Sequence, residues 1–174
     1  MIVIPELSFT MIEFKAVVFP NDLDTSTRII RDAFITVADD FGLTPSNCPT
    51  NPAFIDPDQM MKLQANFREL YLVSYNENPA GFVAIERSLN EPGVFYIEKV
   101  CVLPEFRHRG TGKRIMEFAQ KRIKELEGTQ ASVAIIDENI QLKSWYKGLG
   151  FDITGIKKFD HLPFTVCFMK KKLR

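Results

Sequence analysis

Two closely spaced glycines stand where a strand-like segment gives way to a helix-like one. Residues 107–112 read Arg-His-Arg-Gly-Thr-Gly. Before them, residues 94–103 alternate in the manner of a strand, and residues 109–127 repeat in the manner of a helix. Glycines at a helix entrance leave several main-chain N–H groups free to point at an anion. The junction therefore predicts an α/β fold with a binding site for a phosphorylated ligand.

The same patterns predict one mixed sheet with the element order β-α-α-β-β-β-α-β-α-β-β, in a single domain of residues 1–174. Strands are predicted at residues 9–19, 70–75, 81–85, 94–103, 131–136, 151–156 and 164–169. We expect the 131–136 strand to be buried on both faces, as parallel strands are. Helices are predicted after the possible caps Asp24, Thr25 and Ser26, from Pro57 through Phe67, over residues 109–127, and around Leu142, Trp145 and Leu149.

Composition makes the affinity for an anion a local property. Lys and Arg together number 22, as do Asp and Glu, so no overall field attracts nucleic acid or an anionic membrane. We therefore expect neither as a partner, and we interpret residues 170–174 as a solvated basic tail. Three cysteines without a C-x-x-C spacing and two histidines predict no metal site and suit a reducing cytoplasm. Residues 1–19 are interrupted by Pro5, Glu6, Glu13 and Lys15 and predict neither a signal peptide nor a membrane span.

Two common phosphate-binding patterns do not fit the glycines. A Walker loop needs four residues between its glycines and a Lys-Ser/Thr pair, whereas Gly110 and Gly112 are separated by one residue and Lys113 precedes Arg114. A dinucleotide-binding fingerprint needs a third glycine where Ile115 stands. What remains is the pattern Arg-x-x-Gly-x-Gly between a strand and a long helix.

With the downstream sequence Trp-Tyr-Lys-Gly-Leu-Gly-Phe, this pattern resembles the GCN5-related N-acetyltransferase (GNAT) family. The first family segment is matched by Arg107, Gly110 and Gly112, and the second by Asn139, Tyr146, Gly150 and Phe151. The resemblance implies acetyl-coenzyme A as co-substrate, with its pyrophosphate at the glycine loop, and direct transfer of acetyl to an amine. It assigns the cofactor contacts to Cys101, Val102, Leu103, Arg107, His108, Arg109, Gly110, Thr111, Gly112, Lys113, Asn139 and Tyr146.

The charges around the glycines support an anion site. The glycines alone could serve only to turn the chain into a helix. However, five basic residues surround them, and a cation at a helix N-terminus is unfavourable by about 0.3–1 kcal/mol unless an anion binds. These residues are Arg107, His108, Arg109, Lys113 and Arg114.

Glu98 is the candidate general base. Alternation along the strand predicts one face with Tyr96, Glu98, Val100 and Val102, and another with Phe95, Ile97, Lys99 and Cys101. Among apolar residues a carboxylate has a raised pKa, which suits a base that acts on an ammonium directly or through water. The equal alternative is a structural ion pair with a lysine on a neighbouring element. The resemblance also implies that main-chain amides near Val102 polarise the thioester carbonyl.

Tyr146 is the candidate general acid. It lies seven residues after Asn139, so both side chains fall on one helix face. The resemblance implies that Tyr146 protonates the departing thiolate, the alternative being a packing residue beside Trp145. Asn139 would contact the pantetheine arm, cap the helix, or do both. A covalent mechanism through Cys101 with His108 as base is disfavoured, because a strand cysteine is expected in the core.

The expected acceptor is a small-molecule primary amine. Its pocket would be built from residues 44–55, the first two helices and residues 157–164, where His161 is either a contact or a solvated loop residue. A protein N-terminus or lysine is the alternative acceptor. The alternative from another class is an acyl-coenzyme A binding module without catalysis. We expect a monomer or a homodimer, since the last two strands have exposed edges.

Overall fold

Seven strands form one sheet with helices on both faces. The computed structural model describes residues 10–64 and 68–174, so Phe9 and Phe67, which bounded two predicted elements, lie outside the described residues. The strands are β1 (Ile12–Ala16), β2 (Arg68–Tyr75), β3 (Asn78–Arg87), β4 (Val94–Val102), β5 (Gln130–Ile136), β6 (Asp152–Lys158) and β7 (Thr165–Lys172). The helices are α1 (Leu23–Asp40), α2 (Pro57–Lys62), α3 (Thr111–Glu125) and α4 (Ile140–Gly148). The predicted order of elements is confirmed, apart from 3₁₀ turns at Pro52–Phe54 and Pro104–Phe106.

The sheet has one parallel seam, and that seam is short. The strand order is β1-β2-β3-β4-β5-β7-β6, and among the strands of the described residues only β4 and β5 pair in parallel. Their pairing covers Val94 with Gln130, Phe95 with Ala131 and Tyr96 with Ser132, and it stops there. The carboxyl-terminal half of β4 therefore has β3 on one side and an opening towards β5 on the other.

A bulge in β4 corrects the predicted alternation. Phe82 pairs with Cys101 and Ala84 with Glu98, so Lys99 and Val100 together stand opposite Val83. Lys99 has a φ of 50°, and an extra residue of this kind reverses the faces that follow it. Cys101 therefore lies on the face of α1 with Glu98 and Tyr96, whereas Val100 and Val102 pack on the other face with Ile97. The prediction that Glu98 shares a face with Val100 and Val102 is wrong for this reason.

Two cores hold the helices to the sheet. On one face α3 buries Ile115, Met116, Ala119 and Ile123, at the three- and four-residue spacings of an amphipathic helix. On the other face α1 buries Ile29, Ile30 and Ala33 against β3 and β4. The helix begins at Leu23 after its N-cap Asp22, whose carboxylate accepts from the Val18 N–H at 2.9 Å. The predicted caps at residues 24–26 are therefore two to four residues too late. Asp56 caps α2, and Gln59 completes a capping box.

The strand β5 is not buried on both faces as predicted. Val133 and Ile135 belong to the core beneath α3, but Ala134 between them is exposed. The prediction failed because β5 is parallel only to β4 and antiparallel to β7, and α1 packs chiefly over β3 and β4. Among the described residues, no helix has both the length and the apolar character that crossing a membrane requires.

Candidate active site

The glycine loop leads from β4 into α3 and presents a run of main-chain donors. The first hydrogen bond of α3 runs from the Arg114 N–H to the Gly110 carbonyl at 3.1 Å. Within residues 10–64 and 68–174, the N–H groups of residues 108–113 donate to no protein acceptor. Gly110 precedes the helix with a φ of 80°, a conformation that a side chain would strain. The loop therefore offers consecutive donors at a helix N-terminus, as an anion site requires.

Arg107 is directed away from this run of donors. Its Nε donates to the Val102 carbonyl at 3.0 Å, and its Nη2 donates to the Ala33 carbonyl at 2.8 Å and to Thr36 Oγ1 at 3.1 Å. The side chain thus ties the end of β4 to α1. Only Nη1 has no such bond among the described residues, so the predicted phosphate contact would have to come from that nitrogen.

The other basic residues of the loop are more dispersed than the sequence suggested. The Arg109 guanidinium lies over the rings of Tyr75 and Phe106, at 5.4 and 5.8 Å from their centroids. Arg114 pairs with Glu117 at 3.1 Å. His108 and Lys113 are exposed. The unfavourable crowding of five basic residues at the helix start is therefore partly relieved by protein contacts.

The end of β4 directs one main-chain amide into the opening. The Leu103 N–H donates to the Ala80 carbonyl at 2.8 Å, so the main-chain N–H and C=O of Leu103 face β3. In an extended strand, neighbouring residues point their amides to opposite sides. The N–H of Val102 therefore points towards the opening beside β5. Gly81 permits this close pairing, because a Cβ there would stand 2.5 Å from the Cys101 carbonyl oxygen.

Glu98 lies at this opening and has an arginine partner. Its carboxylate stands 3.7 Å from Nη2 of Arg68, whose Nε donates to Glu86 at 3.0 Å. The Glu98 side chain keeps 38% of its exposure, so the apolar enclosure that was expected for it is absent. The ion-pair alternative is thus realised, although with an arginine and not a lysine. The role of Glu98 as general base stays a prediction.

Tyr146 is buried in the core on the α3 face of the sheet. Only 5% of the residue is exposed, and its ring meets Trp145 and Phe151 edge-on, with centroids 4.9 and 5.6 Å away. Burial raises the pKa of its hydroxyl well above the usual range. The hydroxyl therefore keeps its proton at neutral pH, which a proton donor must do.

The two sequence motifs meet in space. Gly112 at the start of α3 lies against the Trp145 indole of α4, where an added Cβ would stand 3.4 Å from Cζ2. Asn139 caps α4, since its Oδ1 accepts from the Leu142 N–H at 3.0 Å. The capping alternative for Asn139 is thus present, and a pantetheine contact stays a prediction. Thr111 is buried, and its hydroxyl donates to the Phe106 carbonyl at 3.3 Å.

Cys101 is a core residue. It is 7% exposed and packs with the α1 core, and burial raises the pKa of its thiol to about 12. A thiol with this pKa is not ionised at neutral pH, so it lacks the thiolate that covalent catalysis needs. Leu103 is likewise buried in this core, and its predicted cofactor contact could only involve the main chain.

The segments predicted to surround an acceptor are in contact. Leu43, Cys48 and Ala53 form a small buried cluster with Ala38 of α1. Ile136 at the end of β5 packs against this cluster, as do Leu162 and Phe164 from the segment between β6 and β7. The loop of residues 44–55 and that segment therefore meet across the end of β5. His161 is exposed, with its ring centroid 5.7 Å from that of Phe159.

Two residues of the opening were missed by sequence reasoning. Arg68 faces Glu86 across the β2–β3 hairpin, and the register of that hairpin could have revealed it. The position of Lys99 could not have been predicted, because no neighbouring residue in the sequence indicates a bulge. Burial lowers the pKa of Lys99 below its usual value, and the charge of Glu98 opposes this shift.

Comparisons with known proteins agree with this architecture. The model of the acetyltransferase (GNAT) family matches residues 38–151, which is more than half of the chain. No curated protein matches. Among solved structures, the ribosomal-protein-S18-alanine N-acetyltransferase from Escherichia coli is 14% identical with a TM-score of 0.72, and the alignment covers 94% of each chain. An N-acetyltransferase from Staphylococcus aureus Mu50 is 20% identical with a TM-score of 0.71, covering 94% of this chain and 98% of that one. At these identities the likeness shows the fold.

Proposed function

Because the chain belongs to the acetyltransferase (GNAT) family, we propose that it transfers the acetyl group of acetyl-coenzyme A to a primary amine of a small molecule. The whole of residues 1–174 would act as one acetyltransferase domain. The amine would attack the thioester directly, with both substrates bound together. Holding the two reactants side by side supplies the proximity that such a reaction needs.

The observation that carries the proposal is the run of main-chain donors at residues 108–113. These N–H groups have no protein acceptor among the described residues and stand at the N-terminus of α3. A pyrophosphate supplies the oxygen acceptors that such a run needs. The run also begins six residues after Val102, whose N–H points into the opening between β4 and β5. A carrier bound by its phosphates at the loop would thus have its other end close to the opening.

Three groups have the properties that acetyl transfer requires. The Val102 N–H would polarise the thioester carbonyl, whose oxygen gains negative charge as the amine attacks. Glu98 would take the proton of the amine, directly or through water, and Arg68 would keep its carboxylate in place. Tyr146 would give its proton to the departing thiolate, because burial keeps the hydroxyl protonated.

Two measurements test the proposal. The first is a thermal-shift titration with acetyl-coenzyme A, which should stabilise the protein by about 2.7 kcal/mol at a hundred times the dissociation constant. The second is release of free thiol in the presence of a panel of small amines and of peptides with a free N-terminus or a lysine. Tyr146→Phe and Glu98→Gln should each lower kcat/KM about 100-fold, the scale of general acid–base catalysis.

Matched variants separate catalysis from folding. Tyr71→Phe removes a hydroxyl that donates to Glu69 at 2.6 Å, away from the opening, and Glu91→Gln removes a carboxylate that pairs with Lys170. Both should keep the wild-type rate. Stabilisation by acetyl-coenzyme A without thiol release from any amine would favour a binding module. Thiol release with peptides alone would replace the small-molecule acceptor by a protein.

A further inference from the structure

An exposed alanine in the middle of the sheet marks a depression beside the opening. Ala134 lies in β5 with β7 paired on one side, and it is exposed, whereas its neighbours Val133 and Ile135 are 3% and 8% exposed. Its cross-strand partner is Phe168. Because Val133 and Ile135 belong to the core beneath α3, Ala134 and Phe168 lie on the opposite face, which is the face of α1.

The strand register places Glu98 on the same face and at the same level. Tyr96 pairs with Ser132, so Glu98 and Ala134, each two residues further on, stand on opposite sides of the opening. On the other side of β4, Glu98 pairs with Ala84, which belongs to the α1 core. A line across this face therefore runs from Glu98 over the small Ala134 to Phe168.

The depression has one acidic wall and one aromatic wall. Phe159, from the segment between β6 and β7, meets Phe168 edge-on with the ring centroids 6.4 Å apart. Above Ala134, Ile136 is covered by Leu162 and Phe164. The depression with Ala134 as its floor, Glu98 on one side and Phe168 and Phe159 on the other is called here the Ala134 notch.

We propose that the Ala134 notch binds the acceptor and selects primary amines that carry an aromatic ring a short carbon chain away from the nitrogen. The inference rests on the proposed function, since it names the acceptor class of that same site. The ammonium group lies against Glu98, and the ring packs on Phe168 and Phe159, where aromatic rings prefer offset or edge-on contact. Two strand spacings of about 4.8 Å separate β4 from β7 even without the extra width of the opening, which leaves room for a ring and a short chain.

The charges around the notch disfavour a diamine. Lys157 Nζ lies 4.7 Å from the Phe159 ring centroid, so a cation already stands at the aromatic wall. A second ammonium at the far end of the acceptor would meet this like charge. A neutral ring meets no such repulsion and gains by leaving water.

The test compares phenethylamine with ethanolamine and putrescine as acceptors in the thiol-release reaction. We expect kcat/KM for phenethylamine to exceed that for either other amine at least about tenfold, the scale at which an apolar pocket discriminates. Ala134→Leu fills the floor and should lower kcat/KM for phenethylamine about tenfold or more, with ethanolamine changed less than about twofold. Phe168→Ala should raise KM for phenethylamine selectively. Glu13→Leu, an exposed residue of β1, is the matched control and should change neither.

Each outcome has one meaning. The thermal shift with acetyl-coenzyme A should stay the same in all variants, which shows that they fold and keep the donor site, and Ala134→Val replaces Ala134→Leu if the latter does not fold. A preference for ethanolamine or putrescine, or an equal loss for all amines in the Ala134 and Phe168 variants, overturns the inference and leaves the proposed function standing. If acetyl-coenzyme A binds and no amine reacts, the proposed function itself fails.

Discussion

Gly112 packs against the indole of Trp145, so the helix that begins at the glycine loop leans directly on α4. A Cβ at Gly112 would stand 3.4 Å from Cζ2 of that ring, which is ordinary contact, and the γ carbons of a larger residue would have to displace it. Contact with α4 therefore limits the size of the side chain at residue 112. At Gly110 an added Cβ would meet no described atom within 4 Å, and the constraint there is the positive φ.

This contact predicts a graded response at residue 112. Gly112→Ala should be close to neutral, and Gly112→Val should destabilise the protein by about 1–3 kcal/mol, the scale of overpacking. The valine should also remove most of the thermal shift with acetyl-coenzyme A. Gly148→Val in α4 has open space and controls for the helix propensity of valine. Equal thermal shifts for Gly112→Val and wild type would contradict the prediction.

Gly81 should tolerate no side chain. A Cβ there would stand 2.5 Å from the Cys101 carbonyl oxygen, which is main chain and cannot turn away. We expect Gly81→Ala to separate β3 from β4 locally and to lower the free energy of unfolding by about 2 kcal/mol or more. The control is Gly155→Ala in β6, where an added Cβ would meet no described atom within 4 Å. It should be neutral or slightly stabilising. Urea denaturation of both variants decides the matter.

Arg107 should prove more important for stability than its position in the loop suggests. Its three hydrogen bonds join Val102 of β4 to Ala33 and Thr36 of α1. Because the donor is charged, we expect Arg107→Ala to lower the free energy of unfolding by about 3 kcal/mol. Arg107→Lys should recover little, since an ammonium lacks the planar fork. Thr36→Ala removes one acceptor and should cost less, and a larger loss for it than for Arg107→Ala in urea denaturation would contradict this account.

The ion pair between Glu69 and Arg122 predicts a pH dependence of stability. Arg122 donates to both carboxylate oxygens at 2.8 Å and holds the pKa of Glu69 below its ordinary value of 4.5. The folded state thus binds the proton less readily than the unfolded state. The stabilisation is fully present above about pH 4.5 and is lost as the pH falls through the lower pKa of the folded state.

Glu69→Gln should flatten the acid side of the stability profile. Since both side chains are about one-third exposed, solvent screening keeps the effect of the pair below about 1 kcal/mol. The check is the urea midpoint measured from pH 6 down to pH 3, with Glu117→Gln as the control, since Glu117 also lies in α3 but pairs with Arg114. A profile for Glu69→Gln as steep as that of wild type would show that the pair contributes nothing.

The elements and the donor loop could be predicted from the sequence because their causes are local. The spacing of Ile115, Ala119 and Ile123 depends only on the period of a helix, and the Asp56 cap only on residues three positions apart. The start of α3 after Gly110 follows from a conformation that glycine adopts easily. Each of these features is determined by residues close to it in the sequence.

The remaining features depend on distant parts of the chain. Arg107 turns from the loop because the Ala33 carbonyl, 74 residues earlier in the sequence, is within its reach. The bulge at Lys99 is fixed by the pairing with β3, and it moves Cys101 to the face of Glu98. The exposure of Ala134 follows from where α1 ends its coverage of the sheet. The periodicity of the sequence cannot predict contacts between such distant residues.

The pairing of β4 with β5 ends early. Main-chain groups in the centre of the sheet therefore lack the neighbouring strand that normally forms hydrogen bonds with them. The amide of Val102 has no pairing with β5, so a guest that enters the opening has to supply its acceptor. A guest made only of hydrocarbon would leave this amide without a hydrogen-bond acceptor, whereas a guest with carbonyl oxygens would supply one. The interruption itself thus favours a guest that carries carbonyl oxygens, independently of any charged side chain.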